Sequence, residues 1–398
     1  MSYYVKQTNL SGVIEGSPSK SVSHRILLLA TLKDYFEIDN LLLSDDIYET
    51  INFIKTIGFD VTTINKKTII KKIKDVKSAK INLNASASTM RFIIPFSLIH
   101  LEELEIELSD NLANRLGDEY IKLFCNTNIF YHQDKNKITI KGNISDHTFV
   151  LYKTISSQFI TGLLLTLPFL EGTFKIEYQE IPSIPYINLT LNILRDLGVD
   201  IETKKDKFII KGNQTINNNF YKIENDFSSA AFYLVANKLG ANINIKGLNE
   251  NSLQGDRIIL EILNSEMSTI NLINYPDLAP ILFTYAVLSK KETTFTGLDN
   301  LKYKESNRLI GMLSNLEKVG AKYLLTKTTV KFKPTNLKGG VVVKSYNDHR
   351  VVMSMIILGT FLKEGLIIDE INSVAKSYPR FFDDYKILGG LINVKWLP

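Results

Sequence analysis

SPSKSVSHRILLLATL, residues 17–32, sets Ser19, Ser21 and Ser23 with Lys20 and Arg25 immediately ahead of an unbroken apolar run. A helix opening here leaves its first four N–H groups without backbone partners. They point, with the positive end of the helix dipole, at whatever lies in front. Lys20 and Arg25 add whole charges to those partial ones, so the segment reads as an anion site. Taken alone it reads equally as a serine N-cap with solvated basic residues. The run that follows is apolar on every face and must be buried on every face. What decides the fold is that this arrangement returns.

Small polar clusters ahead of apolar helices recur at SASTMR (Ser86), SSQF (Ser156), DFSSAAF (Asp226), PDLAP (Pro276) and YNDHR (Tyr346). The spacing is roughly 70 residues, with one shorter interval near 50, a repeat signal. Each is followed by an amphipathic helix: IYETINFIKTIG, DEYIKLF, YINLTLNILRDLG, RIILEIL, RLIGMLSNLEKVG and FFDDYKILGG. Four of these six end in Gly, the usual left-handed C-cap. Hairpins come next, as in FDVTTINKKTIIKKI, VDIETKKDKFIIKGN and AKYLLTKTTVKFKP, with alternating runs around a polar turn. Three buried helices per domain, wrapped by small sheets and outer helices, predict two α/β domains of three repeated units each. The expected division is 18–225 for the first domain and 1–17 plus 226–398 for the second. The N-terminal stretch is expected to supply a sheet edge to the second domain.

The 398 residues, 44% apolar and 22% charged, suffice for two such cores. A net charge of +5 is spread along the chain without a block of like charge, which argues against nucleic acid as a partner. The longest apolar stretch, Phe159 to Leu170, is too short for a bilayer, and MSYYVKQTNLSG lacks a signal-peptide pattern. A cytoplasmic, soluble protein is expected. A single cysteine, Cys125, excludes an internal disulfide and a cysteine metal cluster. No His/Cys/Asp/Glu spacing resembles a metal site, and no Gly-rich phosphate loop or dinucleotide fingerprint is present.

If the apolar helices aim their N-termini at a shared cleft, the clusters there make it strongly anion-seeking. The cations exceed what one phosphate needs, so two anionic substrates are the simplest account. Each cluster also has a plainer reading. SSQF and Asp277 after Pro276 can be helix caps, Glu305 and Arg308 can pair on a helix surface, and His349 can be structural. Arg91 is expected to pack behind its helix.

Taken together, SPSKSVSHR, SASTMR, ISSQF, SIPY, KESNR, NDHR and AKSYPRFF resemble, in order and spacing from residue 17 to 382, the signatures of the EPSP synthase family of enolpyruvyl transferases. The resemblance implies an inside-out α/β barrel architecture of two domains, each of three βαβαββ-type units. It implies transfer of the enolpyruvyl group of phosphoenolpyruvate to the 5-hydroxyl of shikimate 3-phosphate, releasing phosphate, in aromatic amino-acid synthesis. No metal or organic cofactor is implied, and the small-molecule substrates are the only partners expected of a monomer.

Carried over residue by residue, Ser21, Arg25, Ser156, Ser157, Ser183, Tyr186, Asn300 and Lys304 resemble the shikimate-phosphate contacts, joined by Lys20, Gln158 and Asp277. Lys20, Ala87, Arg115, Gln158, Glu305, Arg308, Arg350 and Lys376 resemble the phosphoenolpyruvate contacts. Asp277 matches the proton acceptor, with Glu305 and Lys20 as further proton carriers and His349 beside them. A carboxylate among so many cations is expected to stay ionised at neutral pH. The chain departs from the family pattern at Ala87, where Gly is usual, and at Ser88, Leu116, Ile184 and Asn307. None removes a catalytic group. The Ala87 methyl should hinder glyphosate, which is longer than phosphoenolpyruvate at the same site. The rival enolpyruvyl transferase acting on UDP-N-acetylglucosamine places a reactive Cys or Asp over its site, whereas Cys125 follows DEYIKLF. A catalytically inactive anion-binding scaffold would not need Lys20, Asp277, Glu305 and Lys376.

Overall fold

The computed structural model describes residues 2–152, 154 and 156–395. Its contacts divide the chain into two compact units, Pro18–Glu224, and Met1–Ser17 with Asn225–Pro398. Among the described residues the strands form six small sheets, five of four strands and one of two.

In the unit Pro18–Glu224 the helices run α1 (Lys20–Ala30), α2 (Asp45–Thr56), α3 (Ala87–Phe96), α4 (Asp110–Leu116), α5 (Glu119–Phe124), α6 (Gln158–Thr166) and α7 (Ile184–Asp196). The helices α1, α3 and α6 are the apolar ones. Every residue of α1 from Val22 to Ala30 is buried, which is why no polar stripe interrupts ILLLA. Each of the three sheets repeats one order: a parallel pair, then a hairpin. In the second, Ser78–Leu83 pairs parallel with Glu103–Leu108, which pairs antiparallel with Lys137–Lys141, and Phe130–Asp134 closes the edge. Its register lines Ile81, Ile106 and Ile138 in one row, so the period-two alternation puts the apolar set on the helix side. The amphipathic helices turn into their hairpins through glycines such as Gly58 (φ +99°) and Gly198 (φ +86°), a conformation a side chain at Cβ would strain.

The other unit holds α8 (Phe227–Lys238), α9 (Ile259–Asn264), α10 (Ala279–Ser289), α11 (Arg308–Lys318), α12 (His349–Phe361) and α13 (Phe381–Ile387). Two of its sheets follow the same order. The third consists only of Ser11–Glu15 parallel to Asn242–Lys246. The short repeat interval therefore marks a unit without its hairpin. The N-terminal segment does more than add an edge. Ser2–Lys6 is an inner strand, bonded to Leu366–Ile368 on one side and Leu391–Lys395 on the other. It takes the place of the second hairpin strand, with Leu391–Lys395 as the first.

Two helix starts lie later than the sequence reading placed them. The helix expected at Pro276 begins at Ala279 with Leu278 at the cap, and the one expected at Tyr346 begins at His349 after Tyr346 and Asn347 adopt left-handed φ of 53° and 52°. The first shift leaves the candidate Asp277 in a loop ahead of its helix, whereas His349 and Arg350 open α12 itself.

Candidate active site

In the unit Pro18–Glu224 the clusters are built at the starts of α1, α3, α6 and α7. Ser19 caps α1 by accepting from the N–H of Val22 (3.4 Å). Lys20, in the first turn, reaches Asp46 Oδ2 of α2 at 2.8 Å. Half-buried Ser21 gives its carbonyl to Arg25 Nη1 (2.6 Å). Arg25 then ties α1 to α7: Nε donates to Thr190 Oγ1 (2.8 Å) and Nη2 to the Tyr186 carbonyl (3.1 Å), while Phe92 lies against its guanidinium. Ser183 adopts φ +61°, rare for a residue with a side chain, to start α7 just before Ile184 and Pro185. The strain places it, 7% exposed, at that helix start.

Arg91 does pack behind α3, and it does so by holding ligand candidates. Its Nη1 donates to Gln158 Oε1 (2.6 Å), its Nη2 to the Arg115 carbonyl, and its guanidinium stacks on Phe159. Gln158 Nε2 also donates to Ser88 Oγ (2.8 Å), so α3 and α6 meet at this amide, and the Arg91 guanidinium joins both to α4. Ser156 Oγ accepts from the Gln158 N–H (3.3 Å), whereas Ser157 sits at the cap without a side-chain cap bond. Ala87 is the first residue of α3, buried behind the Ser86 cap.

In the other unit, Asp277 does not cap α10. Its Oδ1 accepts from Arg308 Nη1 (2.7 Å) with Lys304 Nζ at 3.7 Å, and its Oδ2 faces Arg350 Nη2 at 3.2 Å. Arg308 does not pair on a surface: it is 3% exposed, and its Nε donates to Asp348 Oδ2 (2.8 Å). Glu305 turns instead to His349, Oε2 to Nδ1 at 2.9 Å, and lies 4.0 Å from Arg308 Nη2. Asp348 caps α12 through the Arg350 N–H (3.0 Å) and also accepts from Ser306 Oγ (3.1 Å). One buried carboxylate thus gathers KESNR and NDHR. Asp277 is 21% exposed at its side chain and Asp348 0%, so of the two only Asp277 is open to a ligand. Lys376 Nζ donates to the Asn347 carbonyl (2.9 Å). Asn300 lies half-buried in the turn Asp299–Tyr303 that leads to Lys304.

The electrostatics of the two units differ. Burial pulls Arg25 down to about 10 and, with Arg115 adding repulsion, Arg91 to about 9. Burial also pulls on Arg308, but Asp348, Asp277 and Glu305 outweigh it and hold the guanidinium above its ordinary range. Burial pushes Asp256 up to about 6, with Asp277 adding to it. The oxygens of Glu305 and Asp348 and the His349 ring nitrogen lie within 4.8 Å of one another, a set able to ligate a cation. The Arg308 guanidinium lies beside those oxygens and supplies a positive charge there.

Sequence reading missed the carboxylates that brace this machinery. Asp46 and Glu49 sit in the first turns of amphipathic α2, where acidic residues ordinarily just complement the helix dipole. Asp256 is buried and accepts from Ser228 Oγ at the start of α8. No spacing rule marks it.

The family model for EPSP synthase (3-phosphoshikimate 1-carboxyvinyltransferase) matches residues 5–269 and 264–385. The chain is similar to curated 3-phosphoshikimate 1-carboxyvinyltransferases of Clostridium botulinum (strain Alaska E43 / Type E3) and Clostridium acetobutylicum, each 37% identical over 96% of both chains. In fold it is similar to EPSP synthase from Acinetobacter baumannii, TM-score 0.82 at 19% identity over 100% of both chains. It is likewise similar to the enolpyruvyl transferase NikO from Streptomyces tendae, TM-score 0.78 at 14% identity over 100% of this chain and 99% of that one.

Proposed function

The chain belongs to the EPSP synthase (3-phosphoshikimate 1-carboxyvinyltransferase) family, and from that premise we propose how its residues carry the reaction. The enzyme transfers the enolpyruvyl group of phosphoenolpyruvate to the 5-hydroxyl of shikimate 3-phosphate. C3 of the donor gains a proton as the hydroxyl loses one and attacks C2. The tetrahedral phospho-adduct then loses phosphate, and the C3 proton is given up again. Both steps need a proton acceptor and a donor already in place.

The observation that carries the residue assignment is Asp277, held by Arg308 and Arg350 with Lys304 near, yet still partly open. In this reading its carboxylate accepts the hydroxyl proton. Glu305, whose other partner is His349, and Lys20, steadied by Asp46, are the remaining proton carriers. Arg115, Arg308, Arg350 and Lys376 hold the phosphoenolpyruvate carboxylate and phosphate, with Ala87 and Gln158 against it. Ser21, Arg25, Ser156, Ser157, Ser183, Tyr186, Asn300 and Lys304 take shikimate 3-phosphate, its phosphate meeting charge-assisted bonds. The uridine-sugar alternative lacks support: the exposed Cys125 thiol lies at the end of α5, against the Lys122 carbonyl.

A cytoplasmic monomer is part of the same proposal. Among the described residues no helix is long and apolar enough to cross a membrane, and light scattering at assay concentration tests the monomer. The reaction is tested by phosphate release. Phosphate should appear only when phosphoenolpyruvate and shikimate 3-phosphate are both present, and release with UDP-N-acetylglucosamine in place of the latter would overturn the acceptor assignment.

A further inference from the structure

Glu49 lies half-buried on α2, three residues after the Asp46 that pairs with Lys20. Its Oε1 accepts from the N–H groups of Asn84 (3.0 Å) and Ala85 (2.8 Å), and its Oε2 from that of Ser86 (3.0 Å). Three successive N–H groups aimed at one point form an anion-binding concavity, here filled by the chain's own carboxylate. The opposite side of the same loop is held too. Ser109, the cap of α4, donates its hydroxyl to the Asn84 carbonyl (2.7 Å) and its N–H to the Leu83 carbonyl (2.9 Å).

What this loop carries is the start of α3: Ser86 as cap, then Ala87, then Ser88 bonded to Gln158. The helix that grips it from the far side, α4, carries Arg115. One face of α2 therefore connects Lys20, through Asp46, with the α3 start, through Glu49. The arrangement is costly for a mere loop support. Burial pushes the Glu49 carboxyl up despite the three N–H donors, Asp46 adds repulsion, and among the described residues no ion pair involves Glu49.

We propose that Glu49 is a positioning residue for the phosphoenolpyruvate half of the site, fixing the backbone of residues 84–86 and with it Ala87, Ser88 and the neighbouring Arg115. This rests on the residue roles proposed above. Glu49 touches no substrate; it acts by setting where α3 begins.

The test is steady-state kinetics of Glu49→Ala and Glu49→Gln with each substrate varied in turn, alongside thermal denaturation. Loss of three charge-assisted bonds in Glu49→Ala should raise KM for phosphoenolpyruvate about tenfold. Turnover and the KM for shikimate 3-phosphate should stay within about threefold, because the groups that move belong to one substrate. Glu49→Gln keeps one acceptor oxygen and should move the same KM less, and it carries the test if Glu49→Ala does not fold. A lowered melting temperature with both KM values unchanged, or an equal rise in both, would overturn the proposal and leave Glu49 a structural support. Wild-type enzyme that released no phosphate from the substrate pair would instead overturn the functional reading, and this role with it.

Discussion

Arg25 in one unit and Arg308 in the other are equally buried, yet they are surrounded in opposite ways. Arg25 is met by a threonine hydroxyl and two carbonyls, Arg308 by Asp277, Asp348 and Glu305. Among the described residues no ion pair involves Arg25 or Arg91, and burial lowers both. A buried guanidinium without a counter-ion is unfavourable by itself and becomes favourable when an anion arrives. The charge of Arg308 is already balanced, so an added anion gains less there, and the same contacts hold Asp277 in place. On the residue roles proposed above, the unit Pro18–Glu224 takes up negative charge, and the other moves a proton amid charges that cancel.

Removing Asp277, the proton acceptor proposed above, should give the largest effect. Asp277→Ala is expected to lower turnover by about 10² to 10⁴, the span for a general acid or base. Retention of more than about a tenth of wild-type turnover would break the assignment.

The contrast between the arginines comes next. Arg308→Met leaves Asp348 and Asp277 facing each other without their shared cation, and should destabilise the fold by about 3 to 5 kcal/mol. Arg25→Met removes a cation that lacks a counter-ion and should change the stability of the free protein by less than about 1 kcal/mol. Urea unfolding of the two variants checks this, and similar losses would mean that the two surroundings are equivalent.

An effect smaller than the loss of Arg308 is expected at the α3 start. Ala87→Gly should tighten glyphosate inhibition by about 1 to 3 kcal/mol, roughly fivefold to over a hundredfold, while phosphoenolpyruvate use changes little. Equal inhibition constants for wild type and variant would show that this methyl does not reach the ligand.

Much of the architecture was legible because burial imposes composition. ILLLA in α1 and VVMSMIILGT in α12 are buried on all sides, and no surface helix could be written that way. The missing hairpin after α9 was visible only as a short interval, and its meaning needed the two-stranded sheet of Ser11–Glu15 and Asn242–Lys246. Permutation hid the inner position of Ser2–Lys6, since a strand's partners nearly 400 residues away leave no local trace.

Candidate site residues stood out where several charged types crowd one helix start, as in KESNR and NDHR. Their pairing was not. Sequence spacing suggests Glu305 with Arg308 at i, i+3, and that pair is present but largely buried and long at 4.0 Å, while the closer partners are His349 for Glu305 and Asp277 and Asp348 for Arg308. Asp277 was ambiguous with a helix cap until the helix proved to start two residues later. Asp46 and Glu49 were illegible because an acid in the first turn of an amphipathic helix has an adequate reason to be there already.

Calorimetric titration of shikimate 3-phosphate into Arg25→Met and Asp277→Ala tests the division of labour most directly. Loss of one buried charge-assisted anion contact should weaken binding to Arg25→Met by about 10- to 100-fold. Asp277→Ala should bind within a few-fold of wild type despite its lost turnover. The reverse order, with tight binding by Arg25→Met and weak binding by Asp277→Ala, would contradict the account.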